Sequence, residues 1–489
     1  MRAVHTVAEV RAAEEVVLAR TAAGELMQRA SFGLARTCAA VLTESRGRTY
    51  GAQVALLVGA GNNGGDTLFA GAMLARRGAR VTAILAGIHA HQAGRRELDR
   101  AGGYFVSAAD KDATEVLQSA DLVVDGLLGI GGKGGLRDTM ADLANVATEC
   151  EAAVVAADLP SGVDADTGVV SGTSIWADVT VTFGALKPGL LVPPGADRVG
   201  LVELVDIGLT DTLVIPSITM LELADVAAHQ PHPVPSDDKY SQGVVGVAAG
   251  SREYPGAAVL ATGAALLAKP GLVRYCGSAA RDVVIAWPSA IVSDSSPRSA
   301  GRVQSWVVGP GLGMDELARR TIHEVLASGL PAVVDADALT VLAEHPELLA
   351  VRPVTSTPTV LTPHDREFAR LGPDLDVSSD RIGAVRALAA RLECTVLLKG
   401  ATTIVAGSDG QVRLNTTGTP WLATAGTGDV LSGMIGAYLA SGLRAVDAAS
   451  VAAFVHGIAG RRAADDAPCT SRDVVNAIPA AIRSLRNIA

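Results

Sequence analysis

Short hydrophobic segments alternate with longer amphipathic segments along most of the chain. Between Gly51 and Gly208, short runs rich in Val, Leu and Ala are separated by Ala-rich stretches whose charged residues follow helical spacing. This alternation is typical of a parallel sheet that is covered by helices on both faces. It predicts strands at residues 54–58, 81–85, 122–125, 154–158, 179–183 and 202–205.

The alternation lapses between residues 211 and 238, where the closely spaced prolines of HQPHPVP (229–235) exclude a continuous helix or a central strand. It then resumes, and the last part of the chain has mostly helical patterning. We therefore predict two α/β domains, 1–212 and 237–489, joined by a linker at 213–236. In the second domain the pattern predicts a helix from Pro255, strands at 244–248, near Val307, near Val333, at 396–399 and at 403–405, and helices at 447–464 and 471–488.

Composition and charge argue against several classes of protein. The 489 residues carry a net charge of −10 without a basic block, so binding to nucleic acid or to an anionic membrane surface is not expected. No apolar run approaches the roughly 20 residues that span a bilayer. The five cysteines lie far apart, which indicates neither a disulfide framework nor a zinc site. Acidic residues in the N-terminal stretch argue against a secretory signal, so a cytoplasmic protein is expected.

The first candidate site follows the first clear strand, in the segment GAGNNGGDT (59–67). Its glycines fit the dinucleotide fingerprint GxGxxG, but the next strand does not end in the acidic residue that would hold a ribose. A hydride-transfer site is therefore not predicted, although the loop can direct backbone N–H groups at a phosphate. The open alternative is a simple turn, because Asn and Gly both tolerate left-handed backbone.

Two further strands of this domain end in an aspartate, Asp125 and Asp158, and each opens into a glycine-rich loop. The strand ends of a doubly wound sheet meet along one crevice, so these carboxylates should converge with the first loop. Together they would offer oxygen ligands to a hard cation beside a phosphate cradle. The alternative role of each aspartate is to cap a helix.

The second candidate site is the segment NTTGTPWLATAGTGDVLSGMIGAYLA (415–440). Here Gly426, Gly428 and Gly433 bracket Asp429 at the predicted start of a helix. The backbone N–H groups and the positive end of the helix dipole would face a phosphate, with a carboxylate beside it. This arrangement favours phosphoryl chemistry over the alternative, a helix N-cap aspartate.

Several motifs of the first domain resemble the YjeF N-terminal family, the NAD(P)H-hydrate epimerases. They are GNNGGD, DGLLGIG, DLPSGVDADTG and the opening segment AEVRAAEEVVLARTAAGELMQRA. The resemblance implies a Rossmann-like fold and the interconversion of the R and S forms of NADHX and NADPHX, which carry a hydroxyl on C6 of the nicotinamide ring. It implies a substrate site formed by Asn62, Asn63, Gly64, Gly65, Asp66, Gly129, Ile130, Gly131, Gly132, Lys133, Gly134, Gly135 and Asp158.

The resemblance also implies that Asn63, Asp125 and Ser161 bind K⁺. Because epimerisation at C6 needs a proton acceptor and donor near the hydroxyl, Asp158 is the candidate acid/base. Lys187 is a second candidate, and its alternative role is that of a surface lysine before a turn proline. One position departs from the family: Thr67 replaces the last glycine of GNNGGDG, which would weaken the site if that position required positive φ or a close backbone approach.

The second domain resembles first the ribokinase-like superfamily, through GTGD before a helix and KGATT (399–403) at the end of a strand. The segments DDKYSQGVVGVAAGSREYPGAAVLA, VVGPGLG, VVDADAL and LTPHDREFARL extend the resemblance to the YjeF C-terminal family, the ADP-dependent NAD(P)H-hydrate dehydratases. This implies that Ala257, Gly311, His364 and Asp429 bind the hydrated nucleotide and that Lys399, Gly400, Ala401, Thr402, Thr403 and Gly428 bind ADP.

His364 has an alternative role at a helix start, and Asp335 and Asp337 stay outside this predicted site. Mg²⁺ is expected beside the nucleotide, because a bound diphosphate usually needs divalent charge. Asp429 would take the proton of the C6 hydroxyl, which then accepts the terminal phosphoryl group of ADP.

The order of the two domains resembles that of bifunctional NAD(P)H-hydrate repair enzymes. The expected function is therefore epimerisation of NADHX and NADPHX followed by ADP-dependent dehydration of the S form, in a homo-oligomer. The alternative is a small-molecule kinase of the ribokinase-like group with a non-catalytic nucleotide-binding module at the N-terminus.

Overall fold

The computed structural model describes residues 1–87, 89–230, 233–269, 271–353 and 357–486. It divides into two compact units, which we call the N-terminal unit (Ala3–Pro216) and the C-terminal unit (Met1–Arg2 with Ser217–Ala489). The boundary falls within the segment 213–236 that the sequence predicts as a linker. Residues 231 and 232 of that segment lie outside the described residues.

The N-terminal unit is a doubly wound α/β sandwich. The first strand of the chain, β1 (Arg2–Val4), lies across the point between Arg2 and Ala3 where the two units divide. The strands here are β2 (Gln53–Val58), β3 (Arg80–Leu85), β4 (Tyr104–Ser107), β5 (Leu122–Gly126), β6 (Ala153–Ala157), β7 (Val179–Phe183) and β8 (Leu201–Val205). The helices are α1 (Val7–Leu18), α2 (Glu25–Arg46), α3 (Asn62–Arg76), α4 (Gln92–Arg100), α5 (Asp112–Gln118) and α6 (Asp138–Glu149).

All neighbouring strands of this sheet are parallel, in the order β4-β3-β2-β5-β6-β7-β8. The order reverses between β2 and β5, as in the Rossmann fold, which creates a ligand crevice at the carboxyl ends of these strands. Apolar residues on alternate faces of the strands fill two cores, one on each side of the sheet. The predicted Rossmann-like fold is therefore confirmed.

The C-terminal unit is built on a larger sheet. Its strands are β9 (Ile218–Met220), β10 (Val244–Ala248), β11 (Leu272–Cys276), β12 (Ile291–Ser293), β13 (Ser305–Val308), β14 (Ala332–Val334), β15 (Thr359–Leu361), β16 (Thr395–Leu398), β17 (Thr403–Ala406) and β18 (Val412–Asn415). Its helices are α7 (Leu223–Ala228), α8 (Pro255–Ala268), α9 (Ala280–Ala286), α10 (Glu316–Ala327), α11 (Asp337–Glu344), α12 (Asp365–Leu371), α13 (Arg381–Leu392), α14 (Thr427–Ala440), α15 (Ala445–Ala464) and α16 (Ser471–Arg486).

From β9 onward, the sheet runs in the order β9-β18-β17-β16-β15-β14-β13-β10-β11-β12. The strands from β12 to β16 are parallel, whereas β16, β17 and β18 form antiparallel pairs. The order reverses between β10 and β13, so a second ligand crevice is expected at the carboxyl ends of the neighbouring strands. Helices α8, α14, α15 and α16 pack together on one face and bury a core rich in alanine.

The hydrophobic alternation predicts most of these elements correctly. Each strand predicted for the N-terminal unit is present within one or two residues, and the helices that end the chain are confirmed up to Arg486. Residues 487 and 488 of the predicted last helix lie outside the described residues. Most of the strands that were not predicted, among them β4, β12 and β15, have only three or four residues, too few to show a period, whereas the unpredicted β11 has five. Over the ranges that the structure describes, none of the helices combines the length and hydropathy needed to cross a bilayer.

Candidate active sites

The two glycine-rich loops of the N-terminal unit meet at the crevice between β2 and β5. A Cβ atom on Gly59 would lie 1.9 Å from the carbonyl oxygen of Leu127, and one on Gly64 would lie 2.2 Å from the carbonyl oxygen of Gly59. Only glycine permits this close approach of backbone to backbone. Residues 59–61 form the bend into α3, which already begins at Asn62, so the Asn-Asn-Gly-Gly-Asp segment is the first part of a helix and not the simple turn that the sequence left open. Gly59 also permits the close approach of the loop that follows β5.

The three predicted K⁺ ligands are brought together around Leu128. The Asn63 amide donates to the Leu128 carbonyl at 3.0 Å, and the Ser161 hydroxyl accepts from the Leu128 N–H at 2.8 Å. Asp125 accepts from the Ser161 hydroxyl at 2.7 Å and from the Ser161 N–H at 2.8 Å. The Asn63 side-chain oxygen is buried and has no hydrogen-bond partner in the described structure. Burial raises the pKa of Asp125 to about 6, although hydrogen bonds from Ser161 oppose the rise.

Asp158 is the first residue after β6, and its backbone adopts φ +65°, which is uncommon for a residue other than glycine. Its Oδ1 accepts a hydrogen bond from the Lys187 ammonium at 2.6 Å, and its Oδ2 accepts one from the N–H of Ile130 at 3.3 Å. Strained backbone of this kind persists where the surroundings hold it firmly. The structure thus places the predicted acid/base against the loop 129–135.

Lys187 is not the surface lysine that the sequence left as an alternative. It is 1 % exposed, and its ammonium also donates to the Thr182 hydroxyl and to the Phe183 carbonyl, both at 2.9 Å. Its three N–H bonds are therefore occupied. This arrangement favours a role in holding the Asp158 carboxylate over a role as a proton donor to a substrate.

Two further carboxyl groups, those of Asp66 and Glu14, lie close enough to Asp158 for its negative charge to affect their pKa values. Burial, followed by the charge of Asp158, raises the pKa of Asp66 well above its usual value, and the same two causes raise the pKa of Glu14. The Ser31 hydroxyl donates to Asp66 at 3.3 Å. Glu14 was not predicted as a site residue, because its only sequence signal is an acid within the apolar periodicity of α1.

The remaining predicted residues of this site differ in their exposure and in their contacts. Asn62 is an exposed first residue of α3, and Gly65 packs against the His91 ring. In the loop, a Cβ atom on Gly129 would lie 3.2 Å from the Asn63 side chain and 3.4 Å from Asp158 Oδ2. Farther along, Gly132 and Gly135 are half-buried, whereas three residues are exposed: Gly131, Lys133 and Gly134.

Thr67 occupies helical backbone in α3 and has no positive φ. It is fully buried, and its hydroxyl donates to the Asn63 carbonyl at 2.9 Å. A Cβ atom on Gly126 would lie 2.1 Å from this hydroxyl oxygen, so Thr67 fills the space beside that glycine. The backbone conformation that would have made this departure from the family harmful is therefore not required.

In the C-terminal unit, the predicted site residues follow the carboxyl ends of the parallel strands around the second crevice. Ala257 lies in the first turn of α8, after β10, and Gly311 lies in the loop after β13. Gly311 has φ +60°, and a Cβ atom on it would lie 2.8 Å from the Ala257 methyl group. These two predicted substrate residues are therefore in contact.

Asp429 is the third residue of α14, and Gly426 is the N-cap, with φ +87°. The alternative interpretation of Asp429 as an N-cap is therefore wrong, because its carboxyl group lies inside the first turn. Burial, followed by the charges of Asp335 and Asp337, raises the pKa of Asp429 to about 7, although Lys399 opposes the rise. A carboxyl group with this pKa can gain and lose a proton near neutral pH.

The predicted nucleotide residues form the turn from β16 to β17 and meet α14. A Cβ atom on Gly428 would lie 3.6 Å from the Lys399 ammonium. That ammonium lies 2.8 Å from Asp335 Oδ1 and 3.6 Å from Glu367 Oε2. Burial alone would lower the pKa of Lys399, but the two carboxylates raise it. The turn itself consists of Gly400, Ala401 and Thr402, and Thr403 begins β17.

His364 does have the helix-start role that the sequence left open. It is the N-cap of α12, and its Nδ1 accepts from the N–H groups of Arg366 at 3.1 Å and Glu367 at 3.2 Å. Glu367 in turn accepts from the His364 N–H at 2.8 Å. Half of the His364 side chain stays exposed, so the cap leaves one edge of the ring accessible to a ligand.

Two aspartates that were not predicted as site residues, Asp335 and Asp337, lie beside the predicted ones. Asp335 accepts from Lys399 and from the Ser432 hydroxyl at 2.6 Å, and Asp337 accepts from the Gly313 N–H at 2.8 Å. The sequence signal was the segment VVDADAL, in which the first acid directly follows an apolar strand. Helix α15 adds the buried His456, whose pKa is lowered by burial to about 4.

Comparison with known proteins gives two family matches in the order that the sequence predicts. Residues 23–189 match the family described as YjeF-related protein N-terminus, and residues 245–480 match the family described as NAD(P)H-hydrate dehydratase. The chain is 48 % identical over 491 residues to the bifunctional NAD(P)H-hydrate repair enzyme Nnr of Mycobacterium leprae, with 99 % of this chain and 100 % of that protein covered.

Among solved structures, the hypothetic protein SMU.573 from Streptococcus mutans aligns with a TM-score of 0.50 at 22 % identity, covering 55 % of this chain and 99 % of that one. The ADP/ATP-dependent NAD(P)H-hydrate dehydratase from Bacillus subtilis, co-crystallised with ATP/Mg²⁺, aligns with a TM-score of 0.48 at 25 % identity, covering 55 % and 98 %. The strand orders of the two units confirm the predicted α/β fold class, with a Rossmann-like order in the N-terminal unit, whereas the ribokinase-like assignment of the C-terminal unit stays a prediction. The chain belongs to the family of bifunctional NAD(P)H-hydrate repair enzymes.

Proposed function

We propose that this protein repairs hydrated nicotinamide cofactors in two steps. The N-terminal unit interconverts the R and S forms of NADHX and NADPHX, and the C-terminal unit converts the S form into NADH or NADPH while ADP becomes AMP and phosphate. The observation that carries the proposal is the match along the whole chain to relatives that are named for this repair. The kinase alternative has no comparable support.

The dehydration begins at Asp429. Its carboxylate takes the proton of the C6 hydroxyl, whose oxygen then attacks the terminal phosphorus of ADP. The bond between that phosphorus and the bridging oxygen breaks, and AMP leaves. The N–H groups at the start of α14, together with the Lys399 ammonium, would counter the charge on the phosphoryl group during transfer.

The second half of the dehydration needs a good leaving group. Hydroxide leaves poorly, whereas the phosphate now attached to C6 leaves well when the ring nitrogen donates its electron pair. Loss of a proton from C5 then forms the C5–C6 double bond of the repaired cofactor. A kinase of the same fold would stop at a stable phosphate ester, so the ring nitrogen of the substrate separates the two outcomes.

Epimerisation requires that the C6 hydroxyl lose and regain its proton. Asp158, held by Lys187 at 2.6 Å, is the proposed acceptor. When the hydroxyl is deprotonated, the bond between C6 and the ring nitrogen can break and re-form on the other face, provided that the nitrogen receives a proton. Burial and the charge of Asp158 raise the pKa of Asp66 well above its usual value, which favours its protonated form, so Asp66 is the proposed donor.

The residues around Leu128 fit a potassium ion. The buried Asn63 oxygen without a partner is a ligand that a cation would satisfy, and the Asp125 and Ser161 oxygens lie beside the same backbone segment. Oxygen donors of this kind suit hard cations. A bound K⁺ would supply positive charge next to the substrate loop. Mg²⁺ stays a prediction for the nucleotide site, since the described residues contain no group of three or more His, Cys, Asp or Glu side chains that could hold a metal.

We expect K⁺ to stabilise the protein and to speed epimerisation, whereas Na⁺ at the same ionic strength does neither. Binding to the folded state alone raises Tm by mass action. Ser161→Ala should raise the K⁺ concentration for half-maximal effect by about tenfold or more, since one lost ligand costs on the order of 1.4 kcal/mol. Ser174→Ala, at a buried serine that accepts from Arg198, is the control. Equal responses to the two cations in both Tm and rate would contradict the K⁺ assignment.

Thr67→Gly should destabilise the N-terminal unit without improving the epimerase. Glycine inside a helix and the lost hydroxyl together cost about 1 kcal/mol. Because Thr67 already has helical φ, restoring the family glycine relieves no strain, and the epimerisation rate should change by less than about twofold. Urea unfolding and an epimer-resolved assay measure the two effects, with Thr67→Ala separating the hydroxyl from the backbone. A large gain in rate would show that threonine impairs the site.

The proposed function is tested with the purified chain and a mixture of R and S NADPHX, assayed with ADP, with ATP and without nucleotide. Conversion of both epimers to NADPH with ADP would support both activities. Consumption of the S form alone would leave the N-terminal unit as a binding module. Phosphorylation of a stable alcohol by ATP, without formation of NADPH, would favour the kinase. The homo-oligomeric state and the cytoplasmic location stay predictions.

A further inference from the structure

A buried carboxylate that the proposed mechanism does not use lies next to the first turn of α14. Asp335 directly follows β14 and is 1 % exposed. Its Oδ1 accepts from the Lys399 ammonium at 2.8 Å, and its Oδ2 accepts from the Ser432 hydroxyl at 2.6 Å. Its backbone N–H donates to the Val308 carbonyl at 3.1 Å. Both carboxylate oxygens and the backbone of Asp335 are thus fixed.

Asp335 is the nearest described carboxylate to Lys399, since Glu367 lies 0.8 Å farther away, at 3.6 Å against 2.8 Å. A mostly buried ammonium is costly unless it is paired. The pairing also sets where the charge lies: a Cβ atom on Gly428 would be 3.6 Å from the ammonium and 3.8 Å from Asp335 Oδ2. The positive charge is therefore held at the turn where a phosphoryl group would bind.

The second contact of Asp335 links this charge to the proposed base. Ser432 lies three residues after Asp429 on α14, on the same face of the helix. Asp335 therefore connects the Lys399 turn, which follows β16, to the helix that carries Asp429. Ala336, the next residue, adopts φ +51° and ψ −120°, a costly conformation for alanine. Such strain is tolerated where the surrounding contacts determine the position of the strand end.

We propose that Asp335 is a positioning residue for the dehydration. It holds the Lys399 ammonium beside Gly428 and, through Ser432, at a fixed place relative to Asp429. The terminal phosphoryl group of ADP would then lie next to the fixed Lys399 ammonium, and the hydroxyl that attacks it would lie next to Asp429. The inference rests on the proposed function of the C-terminal unit and adds a residue to its reaction.

The test is Asp335→Asn, which preserves the shape of the side chain and removes its charge. We expect kcat of dehydration to fall by about 100-fold or more, because a misplaced cation no longer stabilises the transferred phosphoryl group. KM for S-NADPHX should change by less than about threefold, since both carboxylate oxygens of Asp335 are already bonded to Lys399 and Ser432 and the proposal gives it no contact with that substrate.

The pH profile supplies a readout that a merely structural role would not move. The charged groups that act on Asp429 are Asp335, Asp337 and Lys399. Removing the negative charge of Asp335 lowers the pKa of Asp429, so the acid limb of the kcat profile should move to lower pH.

The matched control is Asp447→Asn in the same unit. Asp447 is also a buried carboxylate, with ion pairs to Arg413 at 2.6 Å and to Arg444 at 2.7 Å. This variant should lose stability yet keep kcat within about threefold of the wild type. Epimerisation by the same preparations reports that the N-terminal unit is folded.

If Asp335→Asn does not fold, Ser432→Ala is the variant to test. It removes the hydrogen bond between α14 and Asp335 and leaves every charge in place. It should lower kcat by about tenfold or more. Ser450→Ala, at a buried serine of α15 whose hydroxyl donates only to the Val446 carbonyl, should leave kcat unchanged.

If the wild type is active, an unchanged kcat in Asp335→Asn would overturn this inference and leave the proposed function standing. A loss of kcat in Asp447→Asn as large as that in Asp335→Asn would have the same meaning. Where Asp335→Asn is unfolded, an unchanged kcat in Ser432→Ala has the same meaning. A wild type that forms no NADPH with ADP would instead overturn the proposed function, and this inference with it.

Discussion

Asp429→Asn should abolish dehydration and leave epimerisation at the wild-type rate. An amide cannot take the proton of the C6 hydroxyl, and loss of a general base costs about 10²–10⁴-fold in rate. Because asparagine has nearly the same shape, the start of α14 should keep its geometry. The pKa of Asp429 is about 7, so wild-type kcat should rise with pH and level off above neutrality.

The same substitution should change stability in a direction that depends on pH. The folded-state pKa of Asp429 is raised above its unfolded value, so its contribution to stability is fully present below about pH 4 and is lost as the pH rises through about 7. Asparagine has no charge to bury. The Tm of the variant relative to the wild type should therefore be higher at pH 8 than at pH 5.

An epimer-resolved assay and thermal unfolding at the two pH values measure these effects. Dehydration by Asp429→Asn within tenfold of the wild type would remove Asp429 as the base. Loss of both activities would instead indicate that the substitution unfolds more than the C-terminal unit.

Asp158→Asn should reduce epimerisation to its spontaneous rate. With ADP present, the variant should consume the S form and leave the R form, because the C-terminal unit keeps its own site. Asparagine tolerates positive φ better than alanine does, so the φ of +65° at this position can be kept.

The cost of this substitution to stability has to be separated from its effect on catalysis. The variant leaves the Lys187 ammonium buried without its carboxylate, which destabilises by about 3–5 kcal/mol for a buried pair. The double variant Asp158→Asn/Lys187→Met removes both charges and should recover much of that loss, yet stay inactive as an epimerase. If the double variant epimerises at the wild-type rate, neither residue is part of the chemistry.

The sequence was sufficient for the features that depend on local patterns. Short apolar runs followed by glycines placed the loop at Gly59 and the acid at Asp158 correctly, because strand ends in a doubly wound sheet share one edge. It also placed Asp429 at the glycine-rich start of a helix, although the residue lies inside the first turn of α14 and does not cap the helix.

The parts that the sequence did not provide are pairings between distant residues. Lys187 reaches Asp158 from the loop after the neighbouring strand, 29 residues later, and Lys399 reaches Asp335 across 64 residues. No local period contains that information, since it depends on the lateral order of the strands. Glu14 was missed for the same reason: helix α1 presents it to a carboxylate that follows β6.

Each candidate site draws its named residues from one unit, around the point where the strand order of that unit's own sheet reverses. Two ancestral genes that encoded such units could therefore be joined end to end without rebuilding either site. Once they were joined, the two units would be made in equal numbers from one transcript. A mutation that damaged one site would leave the other site intact, so selection could act on each site separately. The fused gene would thus fix the ratio of the two repair steps while their chemistry continued to evolve separately.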